Sequence, residues 1–206
     1  MTMQVRDPCA ERRPRRKTGG MLGAATKGRL LVATPPLDDP NFDRAVVFVI
    51  EHDDDGALGV VLNRPIGADL PGPLERWEDR LTAPDCLFEG GPVETHALIA
   101  LGHRTPAGAA EDEHQVSLTA TISSVDLSVD PALVTGVESL RVFQGYSGWG
   151  ANQLDAEIAA GGWIVLDAVD DDVFTSEPGR LWRQVLGRQP GRLSWLAAAP
   201  DDLSLN

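Results

Sequence analysis

The sequence predicts an α+β fold built on a largely antiparallel sheet. Short runs rich in β-branched residues alternate with turn signals through the first half of the chain. Two of these runs are joined by an Asp-Gly turn, which is typical of a β-hairpin. Helical patterns gather in the second half, as expected when sheet and helices are segregated. With 206 residues, 42% of them hydrophobic, the chain is long enough for one sizeable core. We therefore expect a single domain over residues 28–206.

The first half contains a buried strand followed by a hairpin. The apolar run "GRLLVAT" at 28–34 ends at two prolines and predicts the strand. The runs "RAVVFVIEH" at 44–52 and "ALGVVLNRP" at 57–65 predict the hairpin, because Pro65 cannot donate to a ladder and ends the second strand. The turn "DDDG" at 53–56 lacks the ligand spacing of a calcium loop. We interpret it as a solvated turn.

The middle of the chain is less regular. An apolar stripe predicts a short helix over 73–81, and "CLFEGGPVETHALIALGH" at 86–103 predicts two strands around a sharp glycine turn. The polar stretch 104–114 indicates a surface loop. Two weak strands follow at 115–122 and 125–130, with a short helix near 131–136.

Helices and strands alternate in the last third. A strand is expected at 138–146 and a helix at 149–160. A further strand is expected at 163–168 and a helix at 176–187, with Ser176 as its N-cap. A short helix over 191–199 completes the series.

The charge of the chain is unevenly distributed. Residues 1–27 are predicted to form a disordered basic tail, whereas beyond residue 20 only 12 basic residues face 29 acidic ones, a net charge of −17. A folded surface of that charge repels phosphate backbones, so nucleic acid is expected to bind only weakly and through the tail. The longest apolar run, 45–50, is too short to span a membrane, and no apolar leader follows the N-terminal charges. Two isolated cysteines, Cys9 and Cys86, suit a cytoplasmic protein.

The segment "RVFQGYSGWGANQLDAEI" at 141–158 carries the strongest chemical pattern. A nucleophile elbow would require glycine where Trp149 stands, and all four histidines precede Ser147, which excludes the α/β-hydrolase order. A triad in another order, with His52 or His103 as base, stays open. An anion bound at the start of the following helix also stays open. The favoured interpretation is that Ser147 caps this helix and the glycines allow a sharp reversal.

No metal site or cofactor is predicted. The four histidines lack the spacing of a zinc helix, and the glycine pattern reverses the dinucleotide fingerprint without a P-loop lysine. No residue is nominated as catalytic.

Three separated blocks make the chain resemble the bacterial YqgE/AlgH family over about residues 28–206. The blocks are "LLVATPPLDDPNFDRAVVFVIEHDDDGALGVVLNRP", "FEGGPV", and "VFQGYSGWGANQLDAEI" followed by "WIVLDA". The resemblance implies a partly closed, barrel-like sheet with helices packed outside it. It also implies a transcriptional-regulator label without an established activity. The chain departs from the family pattern at Asp43, where a basic residue is common, at Asn152, where glycine is usual, and at Asp155, where glutamate is usual.

Two function classes follow. The favoured one is a non-enzymatic regulatory or interaction role with a protein partner. The alternative is a binder of a small anionic ligand, or a hydrolase-like enzyme, that uses the two glycine corners, where backbone amides are accessible. The candidate ligand-binding residues are Arg44, His52, Asn63, Gly90, Gly91, Tyr146, Ser147, Trp149 and Gln153.

Overall fold

The computed structural model describes residues 26–35, 37, 39–105 and 113–197. The strands are β1 (Arg29–Ala33), β2 (Val46–Asp53), β3 (Gly56–Val61), β4 (Phe88–Glu89), β5 (Val93–Arg104), β6 (Gln115–Ser117), β7 (Ile122–Val125), β8 (Val137–Gly150) and β9 (Trp163–Asp167). The α-helices are α1 (Gln153–Ala159), α2 (Asp170–Val173), α3 (Leu181–Gly187) and α4 (Arg192–Leu196). Among the described residues, 3-10 helices cover Gly72–Arg80, Pro131–Leu133 and Pro178–Arg180.

The strands form one curled sheet in the order β6-β7-β5-β8-β3-β2-β1-β9. Neighbouring strands along this path are antiparallel, and only the two-residue strand β4 lies off it, parallel to β8. The sheet has the shape of a half-barrel with a few helices packed on it. This confirms the predicted α+β class with a largely antiparallel, partly closed sheet.

The main hydrophobic core lies on one face of the curled sheet. Side chains from both ends of the sheet meet there, among them Phe48 of β2 and Leu101 of β5. Helix α3 packs into the same cluster through Leu181, Trp182 and its last turn. Because strands far apart in the sheet order share one cluster, burial of this apolar surface is what holds the sheet curled.

Two smaller clusters cover the other side of the sheet. Helix α1 places Leu154 against Trp149 and Trp163. The 3-10 helix Gly72–Arg80 places Trp77 against Leu140 and Val142 of β8. The sheet is therefore covered on both faces, which agrees with the unbroken apolar runs seen in β1 and β2.

The predicted boundary between strand and helix near residue 149 is wrong. Strand β8 continues to Gly150, because its last four residues pair with Gly56–Gly59 of β3. Helix α1 begins only at Gln153, after Asn152 in the left-handed region with φ of 60°. Ser147 therefore lies within a strand and caps no helix.

Several other predicted boundaries also shift. Helix α3 follows directly on the 3-10 turn Pro178–Arg180, so its N-cap residue is Arg180 and not Ser176. The second hairpin strand ends at Val61, earlier than Pro65. The range 115–122, expected as one strand, contains β6 and the start of β7, which pair as a hairpin, whereas 126–130, also expected as strand, form a turn. Thr26, assigned to the tail from the sequence, is buried, whereas residues 1–25 and 106–112 lie outside the described part.

Within the described part of the chain, none of the helices combines the length and the apolar character that crossing a membrane requires.

Trp77 tests the cluster beneath the 3-10 helix. Its side chain is fully buried, and its indole Nε1 donates to the carbonyl oxygen of Leu127. We expect Trp77→Ala to lower the free energy of unfolding by about 3–5 kcal/mol, because it leaves a large cavity. Urea unfolding followed by circular dichroism measures this. Trp195→Ala is the control, since Trp195 is 76% exposed and its loss should change stability by less than about 0.5 kcal/mol. Equal effects of the two substitutions would contradict the assigned core.

Candidate functional site

The two glycine corners of the sequence lie in direct backbone contact. A Cβ atom added to Gly90 would lie 2.2 Å from the carbonyl oxygen of Gly145. One added to Gly91 would lie 2.4 Å from the carbonyl carbon of Tyr146. One added to Gly145 would in turn lie 2.5 Å from the carbonyl oxygen of Gly91. We call Gly90, Gly91 and Gly145–Ser147 the glycine contact. The corners converge, but no cleft separates them, so a ligand cannot lie between them.

Ser147 is part of this contact. It is fully buried, and its hydroxyl donates to the carbonyl oxygen of Gly90 over 3.2 Å. The same oxygen accepts from the backbone N–H of Val61, and the Gly90 N–H donates to the carbonyl of Gln144. A nucleophile elbow instead presents its hydroxyl at the surface of a strand-to-helix turn. The Ser147 hydroxyl therefore links β8 by a hydrogen bond to the residue that follows β4.

Neither histidine considered as a base reaches Ser147. The His52 side chain is buried, with Nδ1 2.5 Å from the Thr26 hydroxyl and Nε2 3.9 Å from the Asp155 carboxylate. His103 Nε2 lies 3.3 Å from the Asp170 carboxylate, and His103 pairs in register with Ser139, eight residues before Ser147. Both rings face other elements of the fold. The structure does not assemble the triad that the sequence left open.

Arg44 and Asn63 form a separate polar group at the start of β2. The Asn63 side chain accepts from the backbone N–H of Val46 and donates to the carbonyl of Arg44, over 3.0 and 2.9 Å. These bonds hold Arg44 at φ of 49°, in the left-handed region. Its guanidinium lies over the Trp182 ring, 5.3 Å from the centroid. His52 lies six residues after Val46 along β2, a distance of about 20 Å. Arg44 and His52 therefore cannot share a small ligand.

Trp149 and Gln153 belong to a third group, centred on Glu157 of α1. One carboxylate oxygen of Glu157 accepts from the indole N–H groups of Trp149 and Trp163, at 3.0 and 2.8 Å. The other accepts from the Gln153 amide at 2.9 Å. Phe42 packs against both indole rings, with centroids 6.2 and 5.2 Å away. The group therefore anchors helix α1 to β8 and β9 and leaves the two indole donors satisfied.

Three residues that surround the candidate residues were not identified from the sequence: Glu157, Trp163 and Thr26. The spacing of Gln153 and Glu157 at i and i+4 was the only signal available for that pair. No pattern among neighbouring residues indicated that two tryptophans from different strands would donate hydrogen bonds to one carboxylate.

Asn152 lies in the turn between β8 and α1. Its φ of 60° lies where glycine is unstrained, and asparagine is among the side chains that adopt this region most readily. The turn that precedes α1 therefore favours glycine or asparagine at this position.

Two shallow acidic grooves lie on the described surface. One, of about 310 Å³, surrounds the tip of the β2–β3 hairpin and is lined by Glu51, Asp53 and Asp55 with the edge of Trp149. The other, of about 330 Å³, is lined by Asp69, Glu78 and Asp85. Neither holds a set of three side chains able to ligate a metal, and no such set occurs elsewhere among the described residues.

Comparison with known proteins finds relatives that the chain matches over most of their length. A family model described as AlgH-like matches residues 30–194. A UPF0301 protein of Streptomyces avermitilis is 46% identical over 183 residues, which covers 87% of this chain and 94% of the relative. A UPF0301 protein of Mycobacterium tuberculosis is 41% identical over 184 residues, with 87% and 90% covered.

Two solved structures share the fold. The crystal structure of protein DIP2367 from Corynebacterium diphtheriae superposes with a TM-score of 0.77 at 27% identity, over 85% of this chain and 96% of that one. The solution structure of the AlgH protein from Pseudomonas aeruginosa superposes with a TM-score of 0.64 at 30% identity, over 86% and 95%.

Gly90 tests the glycine contact. Gly90→Ala places a methyl group 2.2 Å from a backbone oxygen, so β4 and β8 must separate. We expect a loss of about 1–3 kcal/mol in the free energy of unfolding, measured by urea titration. Gly179→Ala is the matched control, because nothing lies within 4 Å of the added Cβ there. If Gly90→Ala is as stable as Gly179→Ala, the backbones do not touch.

Proposed function

The chain belongs to the AlgH-like family, and we propose that within it the protein is a non-enzymatic regulatory protein that binds a basic surface of a protein partner. The observation that carries this proposal is that the candidate polar groups are engaged inside the fold. The Ser147 hydroxyl donates to Gly90, and the rings of His52 and His103 face carboxylates of other elements. A nucleophile adjacent to a base is what covalent catalysis requires, and these groups do not supply one.

The charge of the body favours a protein partner over an anionic ligand. Beyond residue 20 the net charge is −17, and the groove at the hairpin tip adds Glu51, Asp53 and Asp55 at one place. Such a field attracts cationic surfaces and repels phosphates and carboxylates. Asp43 also favours a basic partner. It places an exposed carboxylate beside Arg44, at a position where proteins of the YqgE/AlgH type commonly have a basic residue.

A regulatory role that does not involve direct DNA binding fits these charges. A transcriptional effect would then pass through a DNA-binding partner whose basic surface this protein covers. We place it in the cytoplasm, where unpaired cysteines such as Cys86 remain reduced.

Nucleic-acid binding is tested by removing residues 1–20, which carry six basic side chains. We expect the full chain to bind duplex DNA weakly, with a slope of log K against log salt no steeper than about −5. The shortened chain, which begins at Met21, should show no binding in the same fluorescence-anisotropy titration. Tight, sequence-selective binding by the shortened chain would contradict the charge argument.

The basic-partner proposal is tested with a nine-arginine peptide and the chain that begins at Met21. We expect the triple substitution Glu51→Gln, Asp53→Asn and Asp55→Asn to weaken peptide binding about tenfold, because three exposed charge pairs are lost. Isothermal titration calorimetry measures the affinity. The amide oxygen introduced by Asp53→Asn can still accept the turn bond from the backbone N–H of residue 55, so the hairpin tip keeps its shape.

The matched control removes three charges from the other groove, through Asp69→Asn, Glu78→Gln and Asp85→Asn. It should leave the peptide affinity within about twofold of the unsubstituted chain. Equal weakening by both triple variants would mean that the peptide senses only the overall charge, and the hairpin groove would be rejected as the binding surface.

A further inference from the structure

The chain enters the fold beside the tip of the β2–β3 hairpin. Leu30 of β1 pairs with Phe48 of β2. Four residues earlier, the buried Thr26 places its hydroxyl 2.5 Å from Nδ1 of His52, which lies four residues further along β2. Because β1 and β2 are antiparallel, the chain before Thr26 arrives from the end of β2 that leads into the hairpin turn. Residues 1–25, which lie outside the described part, are therefore tethered beside that turn.

The acidic groove at the hairpin tip begins at the same place. Glu51 and Asp53, the chain neighbours of His52, line it together with Asp55. None of these three carboxylates forms an ion pair with a Lys, Arg or His of the described residues. A fourth carboxylate adjoins His52, since Asp155 Oδ1 lies 3.9 Å from His52 Nε2 and is buried without a hydrogen-bond partner among the described residues. Negative charge is therefore concentrated where the N-terminal segment joins the fold.

The N-terminal segment carries the opposite charge. Residues 12–17, "RRPRRK", hold five basic side chains and no acidic one. The chain from Lys17 to Thr26 spans at most about 32 Å when extended. A segment tethered over such a length meets the groove at an effective concentration on the order of 1 mM. Ala57 and Leu58 line the apolar part of the groove, which the methylene stems of arginine can cover while the guanidinium groups reach the carboxylates.

We propose that residues 12–17 bind the hairpin-tip groove of their own chain and thereby exclude a basic partner from it. This inference rests on the proposed function, because it describes how access to the same surface is regulated. The tether favours this segment over a second copy of the chain at micromolar concentration. A partner must displace the segment, so the affinity of the full chain for basic partners is lowered by the fraction of molecules in which the groove is occupied.

Binding of the segment is tested by paramagnetic relaxation enhancement in the full chain. Cys86→Ser leaves Cys9, three residues before Arg12, as the remaining thiol for a nitroxide label. The label broadens the amide signals of residues 54–58 if the segment lies in the groove. Because the tether alone brings the label near the hairpin tip, the measurement compares variants that share the same tether.

The two triple variants provide this comparison. We expect the variant of the hairpin groove, Glu51→Gln, Asp53→Asn and Asp55→Asn, to reduce the broadening by about half or more, because the segment loses its charge partners. The control variant, Asp69→Asn, Glu78→Gln and Asp85→Asn, should leave the broadening unchanged. Equal broadening in the two variants would overturn the proposal. So would broadening that arises only between nitroxide-labelled and isotope-labelled chains in a mixture, since the segment would then come from a second copy.

The competition is measured in the full chain by replacing four arginines of the segment with glutamine. We expect this variant to bind the nine-arginine peptide about tenfold more tightly than the unsubstituted full chain in isothermal titration calorimetry, because the groove is vacant. The gain should fall to about twofold or less when the hairpin-groove substitutions are also present. A gain of the same size in that combination would show an effect of overall charge and would overturn the proposal. The substitutions are Arg12→Gln, Arg13→Gln, Arg15→Gln and Arg16→Gln.

The two measurements separate this inference from the function on which it rests. Peptide that binds both full chains with equal affinity would overturn the competition and leave the basic-partner proposal standing. Peptide that binds neither chain would reject the basic-partner proposal, whereas selective broadening by the nitroxide would still show that the segment occupies the groove.

Discussion

The architecture depends on the close approach of two backbones at Gly90 and Gly145. Strand β8 pairs with β5 through its first ten residues and with β3 through its last four. The segment around β4 lies between these two partners. The Gly90 carbonyl accepts a hydrogen bond from the Val61 N–H, and the Gly90 N–H donates to the Gln144 carbonyl. Any side chain at Gly90 would collide with a main-chain oxygen. The sheet can therefore divide and curl at this point only because glycine occupies the contact.

This constraint also explains why the segment around Ser147 resembles a catalytic turn. A nucleophile elbow and a close backbone contact both require glycines beside a small polar residue. Here the small residue satisfies a second lone pair of the Gly90 carbonyl at full burial, where an unpaired acceptor would be costly. The residue types are the same in both cases, and only exposure and the position of the histidines distinguish them.

The features predictable from the sequence are those determined by neighbouring residues. The β2–β3 hairpin follows from alternating β-branched residues around Asp55-Gly56, and the fold class follows from the spacing of such runs. The length of β8 does not, since it is set by pairing with Gly56–Gly59, about 90 positions earlier. The positions of the candidate residues relative to one another could not be predicted for the same reason. The side chain of His52 is hydrogen-bonded to Thr26, and that of Trp149 to Glu157. No pattern among neighbouring residues of the sequence indicates these contacts.

The buried charge of Arg141 bears on the same constraint, because the segment from Ala83 to Phe88 that encloses it leads directly into the glycine contact. Phe88 precedes Gly90 by two residues and lies both under the guanidinium and in the core. The surface carboxylates of this acidic protein are screened by solvent and compensate an interior cation poorly. Because Ala83 and Phe88 both contact the Arg141 guanidinium and Gly90 follows in the same segment, the buried cation and the glycine contact hold one stretch of chain against β8.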